Sequence, residues 1–189
     1  MKNGIIALVG VAGLATAAFG QAGWRIDVSN NITGPGQNSA EVTVSAFYSA
    51  PDHAFGGGLF NVVASEAGWV AGSNEVILPP PSNPGTINGA SITGITAGQV
   101  HFPPVVMANT ANPLATWKAT WSTNDFSPRS VSLSTVTTRF DVYISATTPQ
   151  SVSRLTGLLE GAGEIRIVPA PSALALLGLG GLVAARRRR

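Results

Sequence analysis

From Ala115 to Ser122 the chain reads A-T-W-K-A-T-W-S, which puts Trp117, Ala119 and Trp121 on one side of an extended segment and Thr116, Lys118 and Thr120 on the other. A period of two cannot serve a helix, where residues two apart point in nearly opposite directions. The same alternation recurs in Trp24–Ser29 and in Ala40–Tyr48, where Val42, Val44 and Ala46 oppose Glu41, Thr43 and Ser45. Ser130–Val136 and Thr138–Ala146 read as a further pair of strands, the second with Phe140, Val142 and Ile144 inward. Phe55–Ala64 is apolar on both faces and reads as a central strand, and Glu164–Val168 reads as the last one. Val152–Leu159 is the one stretch of this region expected to form a helical turn. Gly34-Pro35-Gly36, Pro79-Pro80-Pro81, Pro103-Pro104 and Asn124–Pro128 punctuate the runs.

Roughly ten short strands so spaced predict a mainly β chain built as an antiparallel β-sandwich. Jelly-roll and immunoglobulin-like or cohesin-like connections are all compatible with it, because connectivity leaves no local trace in a sequence. No internal repeat is present, which disfavours a propeller or solenoid.

The two ends follow another logic and divide the chain into residues 1–22, 23–167 and 168–189. Met1–Ala22 has the form of a secretory leader: Lys2, then an apolar stretch from Gly4 to Ala15, then small residues. Ala18, Gly20 and Ala22 offer signal peptidase two cleavage positions, after Gly20 or after Ala22. At the other end, Ser172–Ala185 spans about 21 Å as a helix, short of a bilayer core of roughly 30 Å. Counting from Val168 lengthens the span to about 27 Å. Arg186, Arg187, Arg188 and Arg189 would hold its end on the cytoplasmic side. Helices are therefore expected at both ends, the second crossing the inner membrane for a time.

Charge is concentrated at these ends. With Lys2 and the four terminal arginines set aside, six Lys and Arg face nine Asp and Glu. The intervening domain is mildly acidic, so the basic pI does not signal a nucleic-acid partner. The absence of cysteine excludes disulfides, thiolate metal sites and a Cys nucleophile.

Val168-Pro169-Ala170-Pro171, a short Ala/Leu/Gly run and a terminal Arg cluster together resemble the PEP-CTERM sorting tail of Gram-negative bacteria. The Pro-Ala-Pro form is similar to that of planctomycete proteins, with Ala170 where the usual core has Glu. The resemblance implies recognition by an exosortase, an integral-membrane cysteine protease or transpeptidase that cuts near the Pro motif. Release or attachment at the cell surface or in extracellular polymer would follow. The resemblance covers the tail alone.

Within the domain no catalytic set assembles. Asp52-His53 lies in a loop without a serine partner, and His101 is the only other histidine. Gly89-Ala90-Ser91-Ile92-Thr93-Gly94 misses the nucleophile-elbow spacing by one residue and lacks the helix that must follow. Asp27, Asp52, Asp125 and Asp141 are scattered, with no calcium-loop spacing, so neither a metal nor a cofactor is expected. Trp24, Trp69, Trp117 and Trp121 raise an alternative, a flat aromatic platform for polysaccharide, against the simpler reading that they form the core. The expectation is an exported, non-enzymatic surface or matrix protein, with a polysaccharide-binding module as the alternative.

Overall fold

The computed structural model describes residues 22–48, 54–75, 82–98, 113–144 and 152–168. The described residues form ten strands and no helix: β1 Gly23–Val28, β2 Ser39–Phe47, β3 Ala54–Ala64, β4 Trp69–Asn74, β5 Thr86–Asn88, β6 Ser91–Gly98, β7 Leu114–Ser122, β8 Arg129–Tyr143, β9 Val152–Arg154 and β10 Ala162–Ile167. Every strand pairing is antiparallel. Sheet A has the order β1-β2-β7-β4, and sheet B the order β10-β8-β3-β6-β5 with β9 also on β8. The chain changes sheet after β2, β3, β4, β6 and β7, so each sheet is assembled from strands distant in sequence. The architecture is the expected sandwich.

The flanking helices are a correction. No helix among the described residues is long and apolar enough to cross a membrane, because period-two strands occupy the described chain up to Ile167. The expected membrane-held arrangement thus has no described element to carry it, and residues 1–21 and 169–189 lie outside the described residues. Ala22, the last residue of the expected leader, is buried with the core, and its carbonyl accepts the Leu159 N–H at 3.0 Å. Of the two expected cleavage positions, the one after Gly20 keeps this residue in the domain. The helical turn expected over Val152–Leu159 is also corrected, since its first residues form β9 against Asp141–Tyr143.

Strand β8 corrects another expectation, with an instructive cause. It is one strand of 15 residues where the alternation suggested two. Arg139 pairs with Leu59 and Thr137 with Phe60, which leaves Thr138 as an unpaired extra residue. A bulge of this kind reverses which side chains face inward. Val131, Leu133 and Thr135 are buried before it, and Phe140 and Val142 after it. A change of phase looks like a strand boundary in sequence, whereas the ladder runs straight through. Ile144, expected inward, follows the strand end and is 49% exposed.

Between the sheets lies one connected core. Trp24 of β1 packs on Phe60 of β3 with ring centres 4.3 Å apart and meets Phe55 and Phe140 edge-on at 5.9 and 5.0 Å. The contacts continue from Phe60 to Trp117 at 6.4 Å and from Trp117 to Trp69 at 6.2 Å. Each such pair adds about 0.5–1.5 kcal/mol beyond simple burial. Rings of this size need facing space, and glycine supplies it. A Cβ at Gly58 would lie 2.6 Å from Trp24 Cη2 and Cζ2, and one at Gly68 would lie 2.4 Å from Trp121 Cε2.

One side of the sandwich is closed by backbone bonds between the sheet edges. The Trp24 N–H donates to the Leu159 carbonyl at 3.0 Å, and the Ile32 N–H to the Arg166 carbonyl at 2.9 Å. In the gap between β9 and β10 the Glu160 carboxylate accepts the Thr137 N–H at 2.8 Å and the Thr135 and Thr137 hydroxyls at 2.6 and 2.8 Å. A side chain thus takes the place of a strand along that part of the β8 edge, where unpaired backbone groups would otherwise invite association.

Gly58→Ala is expected to destabilise the domain by about 1–3 kcal/mol, because the buried indole opposite has no room to retreat. Gly36→Ala, with nothing within 4 Å of an added Cβ, is the control and should stay within about 0.5 kcal/mol. Urea unfolding followed by tryptophan emission measures both, and equal midpoints would refute the account of Gly58.

Candidate functional site

The four tryptophans proposed as a sugar platform are core residues, exposed by 2% at Trp24, 7% at Trp69 and 0% at Trp117 and Trp121. The physical reason is shared facing: Trp117 and Trp121 lie on the side of β7 that carries buried Ala119, and that side meets sheet B. Their polar atoms also point into the fold. The Trp69 indole N–H donates to the Ala90 carbonyl at 2.9 Å, Trp117 to Pro84 at 2.9 Å and Trp121 to Glu66 at 3.3 Å. Trp24 is the exception: its buried N–H has no acceptor. Aromatic stacking on polysaccharide by these residues is therefore corrected.

What the domain offers to a partner lies on the two outward faces. Across sheet A the register aligns Asp27, Thr43, Lys118 and Ser73 in one row over four strands. Lys118 sits between Glu41 and Glu75, 3.7 Å from each. Beside it is a shallow groove of about 210 Å³ lined by Glu41, Ala71, Gly72, Ser73, Glu75 and Thr120 among others. The row is polar because residues alternate across each strand: the inward partners of Thr43 and Lys118 are the buried Val42, Val44, Trp117 and Ala119.

At one end of the sandwich Arg129 ties down the turn that the sequence predicted over Asn124–Pro128. Its Nε donates to both Glu66 oxygens at 3.2 and 3.0 Å, and its Nη1 donates to the carbonyls of Asp125 and Ser127 at 3.0 and 3.2 Å. Asp125 accepts the backbone N–H and the hydroxyl of Ser127 at 2.9 and 2.7 Å. These hydrogen bonds, the backbone one first, with Arg129 adding attraction, hold its carboxyl below the usual aspartate range. Glu164 is lowered too, first by a hydrogen bond from Ser130 and then by Arg166.

On sheet B, Asp141 is buried and engaged by two guanidiniums, those of Arg139 and of Arg154, the latter at 3.5 Å. None of these three residues stood out as a group in the sequence. Arg139 and Asp141 are two apart on a strand and so share a face, which is a local signal. Arg154 joins them only through the register that sets it opposite Asp141.

Among the aspartates weighed as calcium ligands, Asp27, Asp125 and Asp141 pair with Arg25, Arg129, and Arg139 with Arg154, respectively. No group of three or more potential metal ligands occurs among the described residues. Ser91 begins strand β6 after a two-residue loop in which Gly89 has φ 59°, so Gly89–Gly94 is part of a hairpin and no nucleophile elbow. Asp52, His53, His101, the cleavage residues Ala18 and Gly20, the motif residues Pro169, Ala170 and Pro171, and Arg186–Arg189 lie outside the described residues. Val168, the first residue of the motif, is described: its N–H donates to the Ile32 carbonyl at 2.8 Å.

No family model matches the chain. No curated protein matches it. Among solved structures it is similar to a cohesin module of a family 33 glycoside hydrolase from Clostridium perfringens, at 9% identity and a TM-score of 0.43, over 80% of this chain and 99% of that one. It is also similar to a DUF4466 family protein from Parabacteroides merdae, at 12% identity and a TM-score of 0.37, over 76% of this chain and 45% of that one.

Two measurements check this description. Tryptophan emission of the native protein should be resistant to acrylamide and unchanged by neutral polysaccharide; strong quenching would place an indole at the surface. Because the folded pKa values of Asp125 and Glu164 are lowered, their contribution to stability is complete above the unfolded values of about 3.9 and 4.3 and is lost as pH falls through the lower folded ones. The urea midpoint should therefore fall on acidification below about pH 4, and the double variant Asp125→Asn/Glu164→Gln should flatten that fall. An unaltered acid limb in the variant would contradict these assignments.

Proposed function

We propose that this chain is a non-enzymatic structural module of a cell-surface or extracellular matrix, directed there by a C-terminal motif that an exosortase-type enzyme reads. The observation that carries the reading is where the motif stands relative to the fold. Strand β10 ends at Ile167, and the Val168 N–H makes the last described backbone bond of the sandwich. Pro169, which has no N–H, follows at once. A cut at or beyond the Pro-Ala-Pro stretch therefore leaves all ten strands and the edge closure in place, so the module would survive processing folded.

The outward surfaces suit such a role. Their described carboxylates are held by cations or, for Glu160, by threonine hydroxyls. A carboxylate so held is a poor general base, which favours a structural reading over a hydrolytic one. The sandwich also guards its edges: Glu160 covers part of β8, and β5, at the end of sheet B, is only three residues long.

Peptide mapping of the native protein from the producing cells tests the proposal. The expected mature C-terminus lies at or near Pro171, with no peptide from the Leu174–Ala185 run, and Pro169→Ala/Pro171→Ala should abolish the trimming. Recovery of Leu174–Ala185 peptides from matrix material would refute the sorting role.

A further inference from the structure

We propose that the β8–β9 edge of sheet B binds the carboxylate groups of an acidic polysaccharide through Arg139 and Arg154. The starting point is the charge balance of each ion pair. Arg25 and Arg166 each face one carboxylate, Asp27 and Glu164. Lys118 and Arg129 each face two, Glu41 with Glu75 and Glu66 with Asp125. Among the described ion pairs, only at Asp141 do two cations share a single carboxylate. One guanidinium suffices to neutralise a buried aspartate, so the second leaves a charge of about +1 at Asp141. The one described carboxylate without a cation, Glu160, is held by Thr135 and Thr137 further along the β8 edge.

The burial of the three side chains supports a presenting role. The Asp141 side chain is 8% exposed, whereas those of Arg139 and Arg154 are 52% and 61% exposed. The carboxylate is an anchor under the surface, and the guanidiniums are held above it. Each contact uses Nε, one of the five N–H donors of a guanidinium. A fork of planar donors matches a carboxylate better than an ammonium does.

The register then shapes the ground beside them. Arg154 lies opposite Asp141, Asp141 opposite Gly57, and Gly57 opposite Gly98, a single row across β9, β8, β3 and β6. The strands approach closely there: a Cβ on Gly57 would stand 3.3 Å from the Gly98 Cα, a tight contact. Among the described residues this leaves a strip at Gly57 and Gly98 that carries no side chains and runs up to the arginines. A sugar ring can lie flat on that strip with its carboxylate at the guanidiniums, as the face of a bulkier folded partner cannot. The choice of polysaccharide over acidic peptide rests on the matrix role proposed above.

The test is titration calorimetry of the purified full-length protein at low ionic strength with polygalacturonate, with dextran as the neutral polymer and poly-glutamate as the acidic peptide. Polygalacturonate should bind, more weakly as salt is added, and dextran should not. Arg154→Gln should weaken binding about tenfold, the scale of losing a charge-assisted hydrogen bond. Arg139→Gln, on the other oxygen of the same carboxylate, should do likewise, while Arg166→Gln should leave binding unchanged. Circular dichroism shows whether each variant is folded, and either arginine variant suffices for the comparison. Absence of polygalacturonate binding, wild-type affinity in a folded Arg154→Gln or Arg139→Gln variant, or equal affinity for poly-glutamate would overturn the proposal. Binding by the purified chain involves no proteolysis, so its failure leaves the sorting reading intact, and failure of sorting leaves this binding measurable.

Discussion

The contact on which the rest of the sandwich depends is the stacking of Trp24 on Phe60. It joins the first strand of sheet A to the central strand of sheet B, and from it the aromatic contacts run on to Phe55, Phe140, Trp117 and Trp69. Two sheets of small and β-branched residues would bury modest area by themselves. Large rings supply area, and the glycines opposite them let the sheets approach despite it. The buried Trp24 N–H without an acceptor is the cost accepted at this contact, on the order of 1–3 kcal/mol by general estimates. The other three indoles bond to carbonyls of neighbouring segments and so pin the chain between strands to the core.

Because the four tryptophans are consumed inside, the described outward faces offer charge, hydroxyl groups and single aliphatic side chains such as Val70, Val136 and Val152. Sheet A presents a row of Asp27, Thr43, Lys118 and Ser73 in which Lys118 is flanked by two carboxylates, Glu41 and Glu75. Sheet B presents the opposite balance at Asp141. The clusters at Lys118 and at Asp141 thus have opposite local balances on strands that share the same alternating construction. That difference separates them as surfaces for a charged polymer.

Much of the architecture was legible because alternation is a local property. Val42, Val44 and Ala46, or Trp117, Ala119 and Trp121, announce a buried face without reference to any other part of the chain, and the structure buries all six. The failures fall where a local rule depends on a distant partner. Thr138 breaks the alternation of β8, but only pairing with β3 shows that the break is a bulge within one strand. Val152–Arg154 had too few residues to declare a period and became a strand because the edge of β8 was open there. The i, i+2 pairs Arg25–Asp27, Arg139–Asp141 and Glu164–Arg166 were readable as shared faces, whereas Arg154 was not.

By itself, then, the sequence determined the fold class, the inward set of aromatic and aliphatic residues, the mildly acidic domain and the Pro-Ala-Pro motif next to its last strand. All of these depend on residue types and on separations of a few positions. Only the tertiary structure decided the strand order, the bulge at Thr138 that makes β8 one strand, and the meeting of Arg139, Arg154 and Asp141. The physical reason is that burial and ion pairing are settled by which strands become neighbours. In a sandwich whose chain changes sheet five times, neighbours are set by long-range packing and not by order along the chain.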